Sequence, residues 1–181
     1  MSVDELEGLP KGLSADDVRL DLAEIGNVSE WPIDSTYMDA QLPAAFSKLL
    51  RTAYHGELIS ARIAHLFKQK LGGHAGCKTV ARAKKASPEL AFLADVDFVI
   101  VYSWTAWGGL TLWQRLAVVD HELSHCGRDP DVGWITVPHD LEEFGTIARR
   151  WGDWQPGITE FRRQLDLFAA QGAVRPGKGR P

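Results

Sequence analysis

His121-Glu122-Leu123-Ser124-His125 is the stretch on which the reading of this chain turns. Residues four apart in a helix stand one above the other, so His121 and His125 can ligate a single Zn2+ while Glu122 lies beside it as a general base. With 6 histidines in 181 residues, chance alone would produce roughly 0.01 such runs in a chain of this make-up. The flanking sequence supports a helix. Thr111-Leu112-Trp113-Gln114 has the form of a capping box, and Leu112, Leu116, Val119, Leu123 and Cys126 follow as one apolar stripe with Gly127 as the stop. A helix is therefore predicted over about 112–126. His121 and His125 fall on the side opposite the stripe, and Glu122 falls on the flank between the two faces.

A catalytic zinc site needs a third protein ligand and an open position for water. Pro138-His139-Asp140-Leu141-Glu142-Glu143-Phe144 opens a second amphipathic segment with Leu141, Phe144, Ile147, Ala148 and Trp151 as its apolar members and Gly152 as its end. His139, Glu143 and Glu142, in that order of preference, are within reach of the metal. The carboxylates also suit the positive end of a helix dipole. Between the two helices, Gly127 to Asp131 is turn chemistry and Trp134 to Val137 reads as a short extended piece.

The combination of His121-Glu122-Leu123-Ser124-His125 with His139-Asp140-Leu141-Glu142-Glu143-Phe144 resembles the H-E-x-x-H then H-x-x-x-F/W arrangement of SprT-like zinc metallopeptidases. The wider stretch, from Asp97-Phe98-Val99-Ile100 through Trp107, Arg115 and Asp120 to Glu143-Phe144, resembles most closely the metallopeptidases encoded by bacteriophages, over roughly residues 45–155. The resemblance implies His139 as third ligand and a zincin architecture, in which an exposed strand above the metal helix aligns an extended substrate by main-chain hydrogen bonds. Val96–Ser103 or Thr79–Lys85 would be that strand, with Trp104 and Trp107 as candidate borders of the cleft or as core aromatics. The four-cysteine zinc ribbon of some SprT-like proteins has no counterpart here.

The remaining sequence sets the frame. Residues 1–35 are acidic and broken by Gly8, Pro10, Gly12, Gly26 and Pro32, which predicts a partly flexible arm. From about 43 to 71 the spacing of Leu58, Ile59, Ile63, Leu66, Phe67 and Leu71 predicts one helix, carrying His55 and His65 as surface or packing residues and ended by Gly72-Gly73. Thr79–Lys85 and Val96–Ser103 read as strands around a turn at Ala86 to Glu89. Ile158, Phe161, Leu165 and Phe168 suggest a last helix before a flexible basic tail at 172–181. His74 with Cys77 makes only half a metal site, and two cysteines without a C-x-x-C spacing indicate neither a disulfide framework nor a structural zinc.

A net charge of −4 disfavours nucleic acid as a partner, and Lys78, Arg82, Lys84 and Lys85 read as a solvated local patch. The absence of an apolar signal core and of any membrane-length run predicts a cytoplasmic protein without a membrane partner. The expected fold is α+β and zincin-like over residues 36–171, a small antiparallel or mixed sheet packed on the H-E-x-x-H helix with additional helices. The expected chemistry is peptide-bond hydrolysis of a protein or peptide substrate, with Zn2+ on His121, His125 and His139 and with Glu122 as general base. Its rival is a catalytically silent zincin-fold module that binds zinc and serves in binding or phage assembly. Tyr54 and Tyr102 are candidate oxyanion donors.

Overall fold

The computed structural model describes residues 11–13, 31, 35–72, 79–139 and 145–152. Most of the expected N-terminal arm, the His74/Cys77 turn, Glu142, Glu143, and the helix and tail expected after residue 158 lie outside the described residues. The chain is α+β with a small mixed sheet. Strand β1 (Met38–Asp39) leads into helix α1 (Gln41–Tyr54) and a 3-10 turn at Gly56–Leu58, followed by β2 (Ile63–Lys68) and β3 (Ala81–Lys85). Helix α2 (Pro88–Ala94), β4 (Phe98–Ser103), the single turn α3 (Trp104–Trp107) and α4 (Leu112–Ser124) come next, then a hairpin of β5 (Cys126–Asp129) and β6 (Gly133–Thr136), and α5 (Gly145–Trp151).

The four-stranded sheet has the order β1-β2-β4-β3. Its central pair, β2 and β4, is parallel, and each flanking strand is antiparallel to its neighbour. On β4 the alternate residues Phe98, Ile100 and Tyr102 are fully buried while Val99 and Val101 are half-buried, the period of two that a strand with one core face requires. Phe67 from β2, Phe46 and Leu50 from α1, and Leu116, Val119 and Leu123 from α4 complete the same core. Burying each such side chain contributes about 1.5–3 kcal/mol relative to leaving it in water.

The single helix expected over 43–71 is not formed. Helix α1 ends at Tyr54, and residues 63–68 form a strand. A short apolar run fits helical and extended periods alike, and long-range pairing decides: Ile63 to Lys68 pair in register with Phe98 to Ser103. The expected stripe divides accordingly, with Leu58 fully buried and Ile59 66 % exposed. Arg51 holds the corner, its Nη1 donating to the carbonyls of Leu58 (3.2 Å) and Ala61 (2.8 Å). Where β2 begins, Arg62 grips Asp97 through its backbone N–H (2.8 Å to Oδ2), Nε (3.1 Å to Oδ2) and Nη2 (2.8 Å to Oδ1), and this contact holds the Asp97 carboxyl below its ordinary range.

Other boundaries shift for local reasons. The Ala86 to Glu89 turn opens into α2, because Ser87 caps it by accepting from Leu90 N–H (3.3 Å) and Pro88 supplies a first helical residue without an N–H. The capping box of α4 is formed: Gln114 N–H donates to Thr111 Oγ1 (3.2 Å), and Thr111 N–H to Gln114 Oε1 (3.0 Å). That helix stops at Ser124 rather than 126, and Gly127 serves a different purpose from a helix stop. A Cβ at Gly127 would lie 2.6 Å from Val137 Cγ2, so glycine admits the close passage of the segment that follows β6. In the β5–β6 turn, Asp129 Oδ1 accepts from the N–H groups of Asp131 and Val132, both at 2.9 Å. Trp107 is a core residue against Phe67 and Tyr102, and Trp104 packs between Phe67 and Trp31.

His65 is buried within β2, with Nδ1 3.1 Å from the Tyr102 hydroxyl. Burial, aided by the positive charge of Arg51, lowers its pKa from 6.5 to about 3. Between those two values the unfolded chain holds a proton that the native state lacks, so this contribution to stability is complete above about pH 6.5 and is lost as the pH falls. Urea unfolding at pH 7 and pH 5 should show the wild type losing up to about 2 kcal/mol more than His65→Gln. Equal losses would place the titration elsewhere.

Candidate metal and active site

Helix α4 carries two histidines one turn apart on a half-buried side, His121 within its last turn and His125 as its C-cap in helical conformation. Their ring centroids are 5.1 Å apart. Val137 fixes the second ring. Its carbonyl lies 2.8 Å from His125 Nδ1, and a carbonyl only accepts, so Nδ1 carries the proton and Nε2 is the ring nitrogen suited to a metal. The Val137 N–H donates in return to the His125 carbonyl at 2.8 Å. This double tie brings the extended residues 137–139 back over the end of α4 and delivers His139 to the same place.

His139 Nε2 lies 3.1 Å from His121 Nε2, and the rings of His125 and His139 are 4.6 Å apart between centroids. One nitrogen from each of His121, His125 and His139 lies within 4.8 Å of the others, a set that could hold a metal ion. Three imidazoles, one of them already in the tautomer a metal requires, fit the donor preference of a borderline-soft cation. Of the third-ligand candidates, His139 is brought to the site, whereas Glu142 and Glu143 lie outside the described residues.

Glu122 reaches the sheet, its Oε2 accepting from Ala83 N–H at 2.6 Å. Strand order puts β3 at the sheet edge and β4 inside it, so Thr79–Lys85, and not Val96–Ser103, supplies the edge. Ser103 N–H donates to the Val80 carbonyl (2.7 Å) and Ala86 N–H to the Asp97 carbonyl (2.9 Å). Main-chain groups at even positions of β3 therefore face β4, while those of Ala81, Ala83 and Lys85 face the open side. The contact between Ala83 and Glu122 thus lies on the side of β3 that no strand of the sheet pairs with.

Behind the motif is a residue that no spacing rule singles out. Asp120 is fully buried and accepts from His55 Nε2 (2.6 Å), Trp151 Nε1 (2.6 Å) and Arg150 Nη1. Burial opposes its ionisation, but the hydrogen bonds from His55 and Trp151 and the charges of His55 and Arg150 outweigh it and hold the carboxyl below its ordinary value. His55 is thus a buried structural partner of Asp120, neither a helix-surface nor a metal-site residue. The sequence signal was slight: a charged residue on the apolar side of an otherwise regular stripe. Tyr102 is fully buried and bonded to His65, which does not suit an oxyanion donor, and the Tyr54 hydroxyl donates to the Lys11 carbonyl at 2.9 Å. The Cys126 thiol is pushed up to about 12, by burial first and by the nearby Glu122 second, which favours the protonated form.

The model of the family described as putative phage metallopeptidase matches residues 35–162. The chain belongs to this family. The match spans the sheet, the H-E-x-x-H helix, the hairpin and His139. Neither curated proteins nor solved structures give a match. Membership in the phage metallopeptidase family points to peptidase activity, a metal and a protein or peptide substrate. Among the described residues, no helix of the chain is long and apolar enough to cross a membrane.

Asp120→Ala should destabilise the metal-free protein by about 3 kcal/mol, because Arg150, His55 and the Trp151 N–H would lose a buried acceptor together. Denaturant unfolding measures it. A midpoint within error of the wild type would remove the network from the supports of α4.

Proposed function

We propose that this chain is a zinc-dependent metallopeptidase of zincin type, acting in the cytoplasm on extended protein or peptide segments. The observation that carries the reading is the convergence of His121, His125 and His139 within 4.8 Å at the helix that also carries Glu122, whose carboxylate lies against an edge strand. His121, His125 and His139 hold the ion, and the Val137 carbonyl keeps the His125 ring oriented. Zinc, when bound, supplies a Lewis acid that polarises the peptide carbonyl and lowers the pKa of water. Glu122 accepts the proton of the attacking water and returns it to the departing amine. The bond from Ala83 N–H restrains the carboxylate through one oxygen. The open edge of β3 receives the substrate as an added strand, which presents its main chain to Glu122.

Glu122→Gln should retain the fold and the metal while cleavage of a broad peptide library falls by on the order of 10²-fold or more. Equal activity in wild type and variant excludes Glu122 as the base. No activity in either, with one zinc per chain found by elemental analysis, favours the silent binding module.

His139→Ala should weaken zinc binding by more than the roughly 10- to 100-fold that loss of a supporting hydrogen bond costs, since it removes an imidazole from the inner set. Competition with a chromophoric chelator gives the affinities. Retention of zinc by His139→Ala together with its loss in Glu143→Ala would make the third ligand a carboxylate.

A further inference from the structure

On the reading that β3 takes a substrate strand, its side chains specify which strand is taken. Along Ala81–Lys85 the side chains alternate. Ala81 is buried and Ala83 half-buried toward the core side, while Arg82 and Lys84 are exposed on the opposite face. That face continues across the sheet as Val101, opposite Arg82, and Val99, opposite Lys84. Among the described residues no carboxylate pairs with either cation. An edge strand often carries lysine to discourage pairing with stray strands. Here the same edge carries a main-chain contact to Glu122, which fixes Ala83 as the position nearest the chemistry.

Directly opposed residues of an antiparallel pair project on the same face of the sheet. A substrate strand added to β3 therefore places the residue opposite Ala83 with its side chain toward the core side; because Glu122 already accepts from the Ala83 N–H, that residue pairs through the Ala83 carbonyl, with its main chain beside Glu122. The residues before and after it come to lie beside Lys84 and Arg82. Opposite charges facing across strands are favourable, and like charges are unfavourable. We infer that the Arg82/Lys84 pair on the edge strand selects substrates with acidic side chains at alternate positions, Glu or Asp on each side of the residue that faces Ala83. On the same alternation the exposed Lys85 belongs to the Ala81/Ala83 side, two residues from Ala83, so the two cations that flank Ala83 directly are those of the outer face.

The inference rests on the proposed peptidase activity, and the test separates the two. Peptides with a common core and equal net charge carry Glu-x-Glu, adjacent Glu-Glu or Lys-x-Lys, each pattern moved stepwise along the sequence. Cleavage is measured with the zinc-loaded wild type, and binding by fluorescence anisotropy with zinc-loaded Glu122→Gln. Glu-x-Glu in one register should be cleaved, and bound, roughly three- to tenfold better than Glu-Glu or Lys-x-Lys, with the difference shrinking in high salt. The double variant R82E/K84E should reverse the order. Equal cleavage of all three patterns overturns the inference and leaves the peptidase reading standing. Equal preference for Glu-x-Glu and Glu-Glu reduces it to a general attraction for acid and overturns the register. No cleavage of any peptide by the zinc-loaded wild type overturns both readings. Loss of single-stranded DNA binding in R82E/K84E with unchanged peptide preference assigns the pair to nucleic acid instead.

Discussion

The carboxylate of Asp120 is the constraint on which the arrangement of this molecule depends. A fully buried anion is tolerated only where hydrogen-bond donors replace its lost water. Here three donors come from two places: His55 at the end of α1, and Arg150 and Trp151 at the end of α5. Asp120 immediately precedes His121, so the contacts that satisfy it also fix the rotation of α4 about its own axis. With Asp120 turned inward, the next residues of the helix follow by geometry. Glu122 and Leu123 are buried, and His121 and His125 remain half-buried at the open side. The ligand face is thus set from behind, by groups that need never touch a metal.

The front of the site is set by main chain rather than side chain. Val137 and His125 exchange a pair of hydrogen bonds that fixes one imidazole tautomer and returns the chain for His139. Gly127 allows that return, because any side chain there would meet Val137. Ala83 then brings the free edge of the sheet to Glu122. These contacts join a helix, a hairpin and an edge strand, and at Val137 and Ala83 the group that takes part is main chain, whatever side chain stands there. On the proposed reading, such contacts would put Glu122 where an added strand presents its peptide bonds, the spatial coincidence that main-chain recognition and hydrolysis both require.

Much of this was legible in the residues. The H-E-x-x-H spacing, the Thr111/Gln114 capping box, the start of α4 at Leu112, the strands at β3 and β4, and His139 as the residue to join the motif are all local or nearly local patterns. Their energetics are decided within a few turns or by strict alternation. The one long helix expected over 43–71 shows where that logic ends. Leu58, Ile63, Leu66 and Phe67 satisfy a helical period, yet six consecutive main-chain pairs to β4 and the burial of alternate side chains make residues 63–68 a strand.

By itself, then, the sequence determined the chemistry available, two histidines and a glutamate at helical spacing with a further histidine downstream, because ligand type and local periodicity are properties of neighbouring residues. Only the tertiary structure decided that His55 serves Asp120, that β3 and not β4 is the sheet edge, and that Ala83 and Val137 act through their backbones. Those choices depend on which distant main-chain groups find partners when the core closes, and a backbone amide or carbonyl carries no mark of that role in the order of the residues.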